Sequence, residues 1–130
     1  MWEMLTNKAK YGLRAMCALA TLPPGERLQA HAIADRANVP GKFLETILVD
    51  LRRAGYGDSR RGQLGGHSLA KPADTMMVGD LIRAIDGPVA PVRCASNSAY
   101  EPCADCIDPD HCAVRALMRE TREALSSVLD

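Results

Sequence analysis

Apolar residues recur at helical spacing in five stretches of the chain, and between the third and fourth lies a short span rich in glycine and arginine. The first stretch predicts a helix from about Thr6 to Leu22, with Thr6 as its N-cap and Pro23-Pro24-Gly25 as its stop. A short helix over Ala30–Ala37 follows, with Ile33 and Ala34 inward, and Asn38-Val39-Pro40-Gly41 reads as a turn. A third helix, Lys42–Ala54, carries Phe43, Ile47, Leu48 and Leu51 as its apolar stripe, and Gly55 sits at C′, where a left-handed backbone is wanted. Val78–Asp86 predicts another helix, with Leu81, Ile82 and Ile85 inward and Gly87-Pro88 as its stop. The last runs from about Cys112 to Leu129, with Val114, Leu117, Met118, Leu125, Val128 and Leu129 on one face. That face lacks an obvious partner, so the helix is a natural dimerisation element.

Tyr56–Leu69 reads as a two-stranded ribbon whose tip, Ser59-Arg60-Arg61-Gly62-Gln63-Leu64-Gly65-Gly66-His67, is rich in glycine with paired arginines. Two helices joined by a tight turn and followed by a basic hairpin form a winged helix-turn-helix. The fold class is therefore mainly α with a small β-hairpin wing and a C-terminal dimerisation helix. Residues 1–72 form the DNA-binding domain; residues 73–130 hold a linker helix, a cysteine-bearing loop and the dimerisation helix.

Composition sharpens this reading. Aromatic residues make up only 4% of the 130, so aliphatic side chains must fill the core, which favours helices. The formal net charge is zero, yet residues 1–71 carry +5 and residues 72–130 carry −5. A basic first half suits a polyanion, and double-stranded DNA is the expected partner. Lys42, Glu45 and Thr46 on the early turns of the third helix can reach base edges; Arg52, Arg60 and Arg61 suit phosphates or a narrow groove, and Thr6 and Lys8 can anchor the DNA backbone. Lys8, Lys10 and Arg14 before Ala15–Leu22 loosely resemble a signal peptide, but helical spacing and the lack of a small-residue cleavage site favour a cytoplasmic chain with no membrane span. No nucleophile–base pair or phosphate-binding loop suggests an enzyme.

Five cysteines in such a chain point to metal or redox chemistry. Cys94, Cys103, Cys106 and Cys112 offer four thiolates within nineteen residues. An iron–sulfur cluster and tetrahedral zinc both take four soft ligands, and a metal-free thiol–disulfide switch is a third option. Cys112 lies at a helix start, where the dipole favours a thiolate. Glu101, Asp105, Asp108 and Asp110 surround the loop with negative charge, which would lower a cluster's potential. His111 reads as an exposed histidine in an acidic loop, and Cys17 as a core residue of the first helix. The rival from another class is a winged-helix protein-interaction module carrying structural zinc or a thiol–disulfide switch.

Particular residues then mark a resemblance. Leu5-Thr6-Asn7-Lys8 before Tyr11-Gly12-Leu13-Arg14-Ala15-Met16, Phe43-Leu44-Glu45, Leu51-Arg52-Arg53-Ala54-Gly55, Arg61-Gly62-Gln63-Leu64-Gly65-Gly66 and Gly79–Gly87, in that order, resemble the IscR/NsrR/RirA-type winged-helix repressors, the Rrf2 family. The resemblance covers essentially the whole chain. It implies a homodimeric transcriptional regulator with a long C-terminal dimer helix and, in many relatives, a two-iron or four-iron cluster between that helix and the neighbouring subunit's DNA-binding domain. It gives Glu45 the role of reading a cytosine and Arg61 that of entering the minor groove, and it puts Cys94, Cys106 and Cys112 at the positions of three cluster cysteines. The chain departs from the pattern at Cys103, which is additional, and at Lys10 and Arg115, which stand where relatives place a carboxylate and a histidine ligand. Cys103 is then the natural fourth ligand. Gly57 replaces an apolar strand residue, which should loosen the first strand of the wing.

Overall fold

The computed structural model describes residues 5–91, 93–97 and 99–130. The chain forms two compact units, Met1–Asp86 and Gly87–Asp130. The first contains α1 (Asn7–Ala20), α2 (Ala30–Ala37), α3 (Gly41–Arg53), β1 (Gly57–Arg60), β2 (Gly66–Leu69) and α4 (Val78–Asp86). The second contains single 3-10 turns at Arg93–Ala95 and Pro109–His111 and the helix α5 (Ala113–Leu129).

Thr6 caps α1 as expected: its hydroxyl accepts from the Ala9 amide at 3.1 Å. The helix ends at Ala20 rather than Leu22, because Leu22 precedes a proline and is steered away from helical backbone. The Thr21 hydroxyl closes the last turn by donating to the Ala18 carbonyl at 2.7 Å. Asn38 terminates α2 in the left-handed region, with φ of 53°, and its amide donates to Ala34. Gly55 follows α3 with φ of 88°.

The core is aliphatic. Ile33, Leu44, Ile47 and Leu51 are its largest fully buried side chains. Leu44, Ile47, Leu48 and Leu51 are spaced as one helical face, so Leu44 occupies the inward position expected of Phe43. Phe43 is instead 37% exposed, its ring 5.6 Å from that of Tyr11. Cys17 is likewise exposed rather than core: the buried positions of α1 are Ala9, Gly12, Ala15, Met16 and Leu19, and Cys17 lies to one side of that face.

Helix α4 buries Leu81 and Ile85 in the same core and packs on α1 and α3. A side chain at Gly12 would overlap Ile85, so the bare backbone of α1 is what lets α4 approach. The compact unit therefore continues past residue 72, where the sequence places the end of the DNA-binding half. The start of α1 is tied to the end of α4: the Thr6 amide and hydroxyl both donate to the Asp86 carboxylate.

Strands β1 and β2 pair antiparallel, from Gly57 opposite Leu69 to Arg60 opposite Gly66. A third segment, not foreseen from the sequence, joins them. Leu28 forms an antiparallel bridge with His67, each amide donating to the other's carbonyl at 3.0 and 2.7 Å. Gly66 permits it: its φ is 126°, and a Cβ there would stand 2.6 Å from the Leu28 carbonyl oxygen. In the second unit, α5 leaves Val114, Leu117 and Val128 exposed. Among the described residues no helix is long and apolar enough to cross a membrane.

Two substitutions separate core from wing. Leu51→Ala should lower unfolding free energy by about 2–5 kcal/mol, and Gly66→Ala by about 1–3 kcal/mol through lost wing docking, both measured by urea titration. A Gly66→Ala variant within about 0.5 kcal/mol of wild type would show that the Leu28 bridge does not hold the wing.

Candidate nucleic-acid interface and cysteine loop

Helix α3 buries one face and presents the other. Lys42, Glu45 and Thr46 are all exposed on its first two turns, as expected. Lys42 Nζ lies 5.0 Å from the centre of the Phe43 ring, and Lys10 and Arg14 flank the Tyr11 ring at 5.2 and 5.9 Å. These cations and two rings form a positive apron where α3 meets α1.

On its other flank, α3 borders the wing across a groove of about 270 Å³ lined by Glu45, Val49, Arg52, Ser59 and His67 among others. Arg52 spans it, Nη1 donating to Ser59 Oγ at 3.3 Å. Arg60 and Arg61 stand exposed at the wing tip. Two other residues expected to contact phosphate also make contacts within the fold. Lys8 Nζ pairs with Asp50 at 2.6 Å, tying α1 to α3, and Thr6 is occupied by its cap and by Asp86.

The residues that orient the wing were not singled out by sequence reasoning. Arg27 pairs with Asp58 at 2.6 Å and Gln29 Nε2 donates to the Gly65 carbonyl at 3.1 Å, so both neighbours of Leu28 grip the hairpin. The available signal was Arg27-Leu28-Gln29 itself, a polar–apolar–polar triplet between a proline stop and a helix. The Arg27 hydrogen bond holds the Asp58 carboxyl below its usual range, with Arg60 adding to the effect and desolvation opposing it. His67 is shifted down as well, first by burial and then by the charges of Arg52 and Arg27. Burial and the charges of Arg52 and Arg27 thus both favour the neutral form of the imidazole at the wing root.

The four C-terminal cysteines are unequally placed. Cys94 is buried and Cys103 exposed, and their sulfurs lie 3.8 Å apart. Cys106 is half-buried and closes a turn on Cys103, its amide donating to the Cys103 carbonyl at 3.2 Å. Cys112 caps α5, its sulfur accepting from the Arg115 amide at 3.4 Å. His111 is exposed and its Nδ1 pairs with Asp108 at 2.6 Å. Among the described residues no three candidate ligands converge on one point, and the sulfurs in contact are those of Cys94 and Cys103. The thiol of Cys103 is pushed up, chiefly by its hydrogen bond to Cys94 and that neighbour's charge, then by burial and Asp105.

Arg115 organises this loop. Its Nε donates to the Cys94 carbonyl at 2.9 Å, its Nη1 to the Pro109 carbonyl at 3.1 Å, and its guanidinium lies 5.4 Å from the Tyr100 ring centre. Where the resemblance puts a histidine ligand, this chain has a clamp.

Residues 5–130 match the family described as Rrf2, iron-dependent transcriptional regulator. The chain belongs to the Rrf2 family. An rrf2-like HTH-type transcriptional regulator of Rhodobacter capsulatus is 45% identical over 120 residues, covering 90% of this chain and 80% of that protein. Among solved structures, CymR (YrzC), the global cysteine regulator of B. subtilis, superposes with a TM-score of 0.77 at 33% identity, covering 100% of this chain and 91% of that one. IscR of T. potens superposes with a TM-score of 0.75 at 26% identity, covering 97% and 79%. As an Rrf2-family member the chain is a winged-helix transcriptional regulator and not an enzyme.

The lowered pKa of His67 carries a sign. Its folded form resists protonation, so the unfolded chain binds the extra proton first as pH falls. Stability should be highest above pH 7 and should decline below about 6.5, levelling off once the folded imidazole also protonates. Denaturation midpoints at pH 7.5 and 5.5 measure this; His67→Gln should flatten the difference, and an unchanged slope would reject the assignment.

Proposed function

We propose that this Rrf2-family chain acts in the cytoplasm as a homodimeric repressor. Its hold on double-stranded DNA is set by the chemical state of Cys94, Cys103, Cys106 and Cys112. The observation that carries the DNA half is the exposed trio Lys42, Glu45 and Thr46 beside a wing braced by Arg27, Leu28 and Gln29 and tipped by Arg60 and Arg61. Glu45 accepts from a cytosine amino group and Lys42 donates to guanine; a carboxylate facing DNA is unfavourable without such a donor, so Glu45 selects sequence more than it adds affinity. Arg61 enters a minor groove and Arg52 meets phosphate while holding Ser59 of the wing. The exposed Val114, Leu117 and Val128 of α5 support pairing with a second copy, which sets the spacing of two recognition helices.

For the sensing half, an iron–sulfur cluster of two or four irons is the cofactor proposed, with zinc its rival. The donor chemistry suits either, since four thiolates lie within nineteen residues. The geometry fits incompletely: only Cys94 and Cys103 approach one another, while Cys112 is engaged in capping α5. When bound, a cluster would supply a centre sensitive to iron or redox state. The protein's own part is to hold the Cys94 backbone through Arg115 and to keep the acidic loop from the phosphates by charge.

Binding of labelled duplexes tests the interface. Glu45→Ala should relax discrimination at one base pair by about 1–3 kcal/mol, while Arg61→Ala should weaken binding to all sequences; wild-type behaviour from both variants would reject the assignment of α3 and the wing. Protein purified without oxygen should be brown, absorb in the visible and contain iron. A colourless, zinc-loaded sample would replace the cluster with structural zinc.

A further inference from the structure

The cysteine loop brings two sulfurs together, those of Cys94 and Cys103, and how it does so is specific. Cys94 lies in the 3-10 turn Arg93–Ala95, and the chain returns to that turn at Glu101, whose amide donates to the Arg93 carbonyl at 3.4 Å. The Glu101 carboxylate pairs with Arg93 Nη1 at 2.7 Å, closing the same loop by side chains. Arg115 holds the Cys94 carbonyl from α5. These contacts fix both ends of the short segment between the two cysteines and leave the Cys103 sulfur hydrogen-bonded to the Cys94 sulfur at 3.8 Å. The contact of the Cys112 sulfur is with the Arg115 amide at the start of α5, whereas the sulfur facing Cys94 is that of Cys103.

We infer that Cys94 and Cys103 are an oxidisable pair that a hydroperoxide converts to an intramolecular disulfide. The proposal rests on reading this loop as the sensing element, and it names the two residues and the class of oxidant. The exposed Cys103 sulfur meets the peroxide: as it gives up its proton it attacks one peroxide oxygen, the O–O bond breaks, and that proton goes to the departing oxygen, leaving a sulfenic acid and one water (or alcohol). The buried Cys94 sulfur then displaces the sulfenic hydroxyl, forming the S–S bond, and the Cys94 proton leaves with that hydroxyl as water. Two thiols are oxidised and one peroxide is reduced. The approach required, from 3.8 Å to about 2 Å, is short on the scale of a side-chain rotation. Burial of Cys94 lets it resolve the intermediate on Cys103 while remaining shielded from the oxidant itself. The disulfide removes two of the four sulfurs available to a metal, so oxidation and cluster binding exclude one another.

The full chain, reduced and metal-free, is treated with hydrogen peroxide, alkylated, and cut with trypsin and an Asp-specific protease. Cleavage after Arg93 and before Asp105 yields the peptide Cys94–Ala104, which contains only these two cysteines. The expected result is that this peptide is lighter by two hydrogens and unalkylated, whereas Cys106 and Cys112 are alkylated. The linkage should persist in a Cys106→Ser, Cys112→Ser double variant and vanish in Cys103→Ser. Alkylated Cys94 and Cys103, or a dominant linkage through Cys106 or Cys112, would overturn the proposal. Operator binding is read separately. A disulfide that forms without altering DNA affinity leaves the pair standing and sinks its role in sensing, whereas a cysteine-dependent affinity change without this linkage does the reverse.

Discussion

The wing stands where it does because Leu28 and His67 exchange two backbone hydrogen bonds. A two-stranded hairpin is marginal in water on its own, and four-residue strands are shorter still than most. Leu28 supplies the third segment that makes the ribbon part of the core rather than an appendage. The interaction is possible only because residue 66 is a glycine, and its neighbours Arg27 and Gln29 lock the approach from both sides. Everything proposed for DNA recognition needs α3 and the wing tip in a fixed relation, and Arg52 on Ser59 is the direct tie between them.

Much of the fold was legible because its local signals agree. The bounds of α2 and α4, the two strands and the Thr6 cap all follow from periodicity, proline stops and capping chemistry, which act within a few residues. What escaped were matters of a few tens of degrees around a helix or of long-range pairing. Phe43 was the larger apolar residue, yet Leu44 completes the face with Ile47, Leu48 and Leu51. Cys17 adjoins buried Met16 and is nonetheless outside. That Lys8 would meet Asp50, forty-two residues away, is a tertiary fact that no local pattern encodes. Leu28 was hidden because one polar–apolar–polar triplet is too short an alternation to tell a bridge from a loop.

The candidate site was legible in its residue types and less so in its geometry. Four cysteines in a short acidic segment announced sulfur chemistry, but spacing along a chain does not determine which sulfurs face one another. Here the decision is made by groups outside the cysteine set: the Arg93–Glu101 pair closes the loop, and Arg115 holds its backbone from α5. The same substitution that removes a histidine ligand from the family pattern thus supplies the loop with a structural donor. Thiol proximity follows from that exchange.

The Lys8–Asp50 and Arg27–Asp58 pairs have a consequence for how tightly ionic strength governs complex formation. A cation already neutralised by a carboxylate brings few condensed ions off a duplex when it docks. The basic half of the chain should therefore behave as though it carried fewer positive groups than its composition states, with a shallower dependence of log affinity on log salt. Two of its charges are committed to holding the protein's shape.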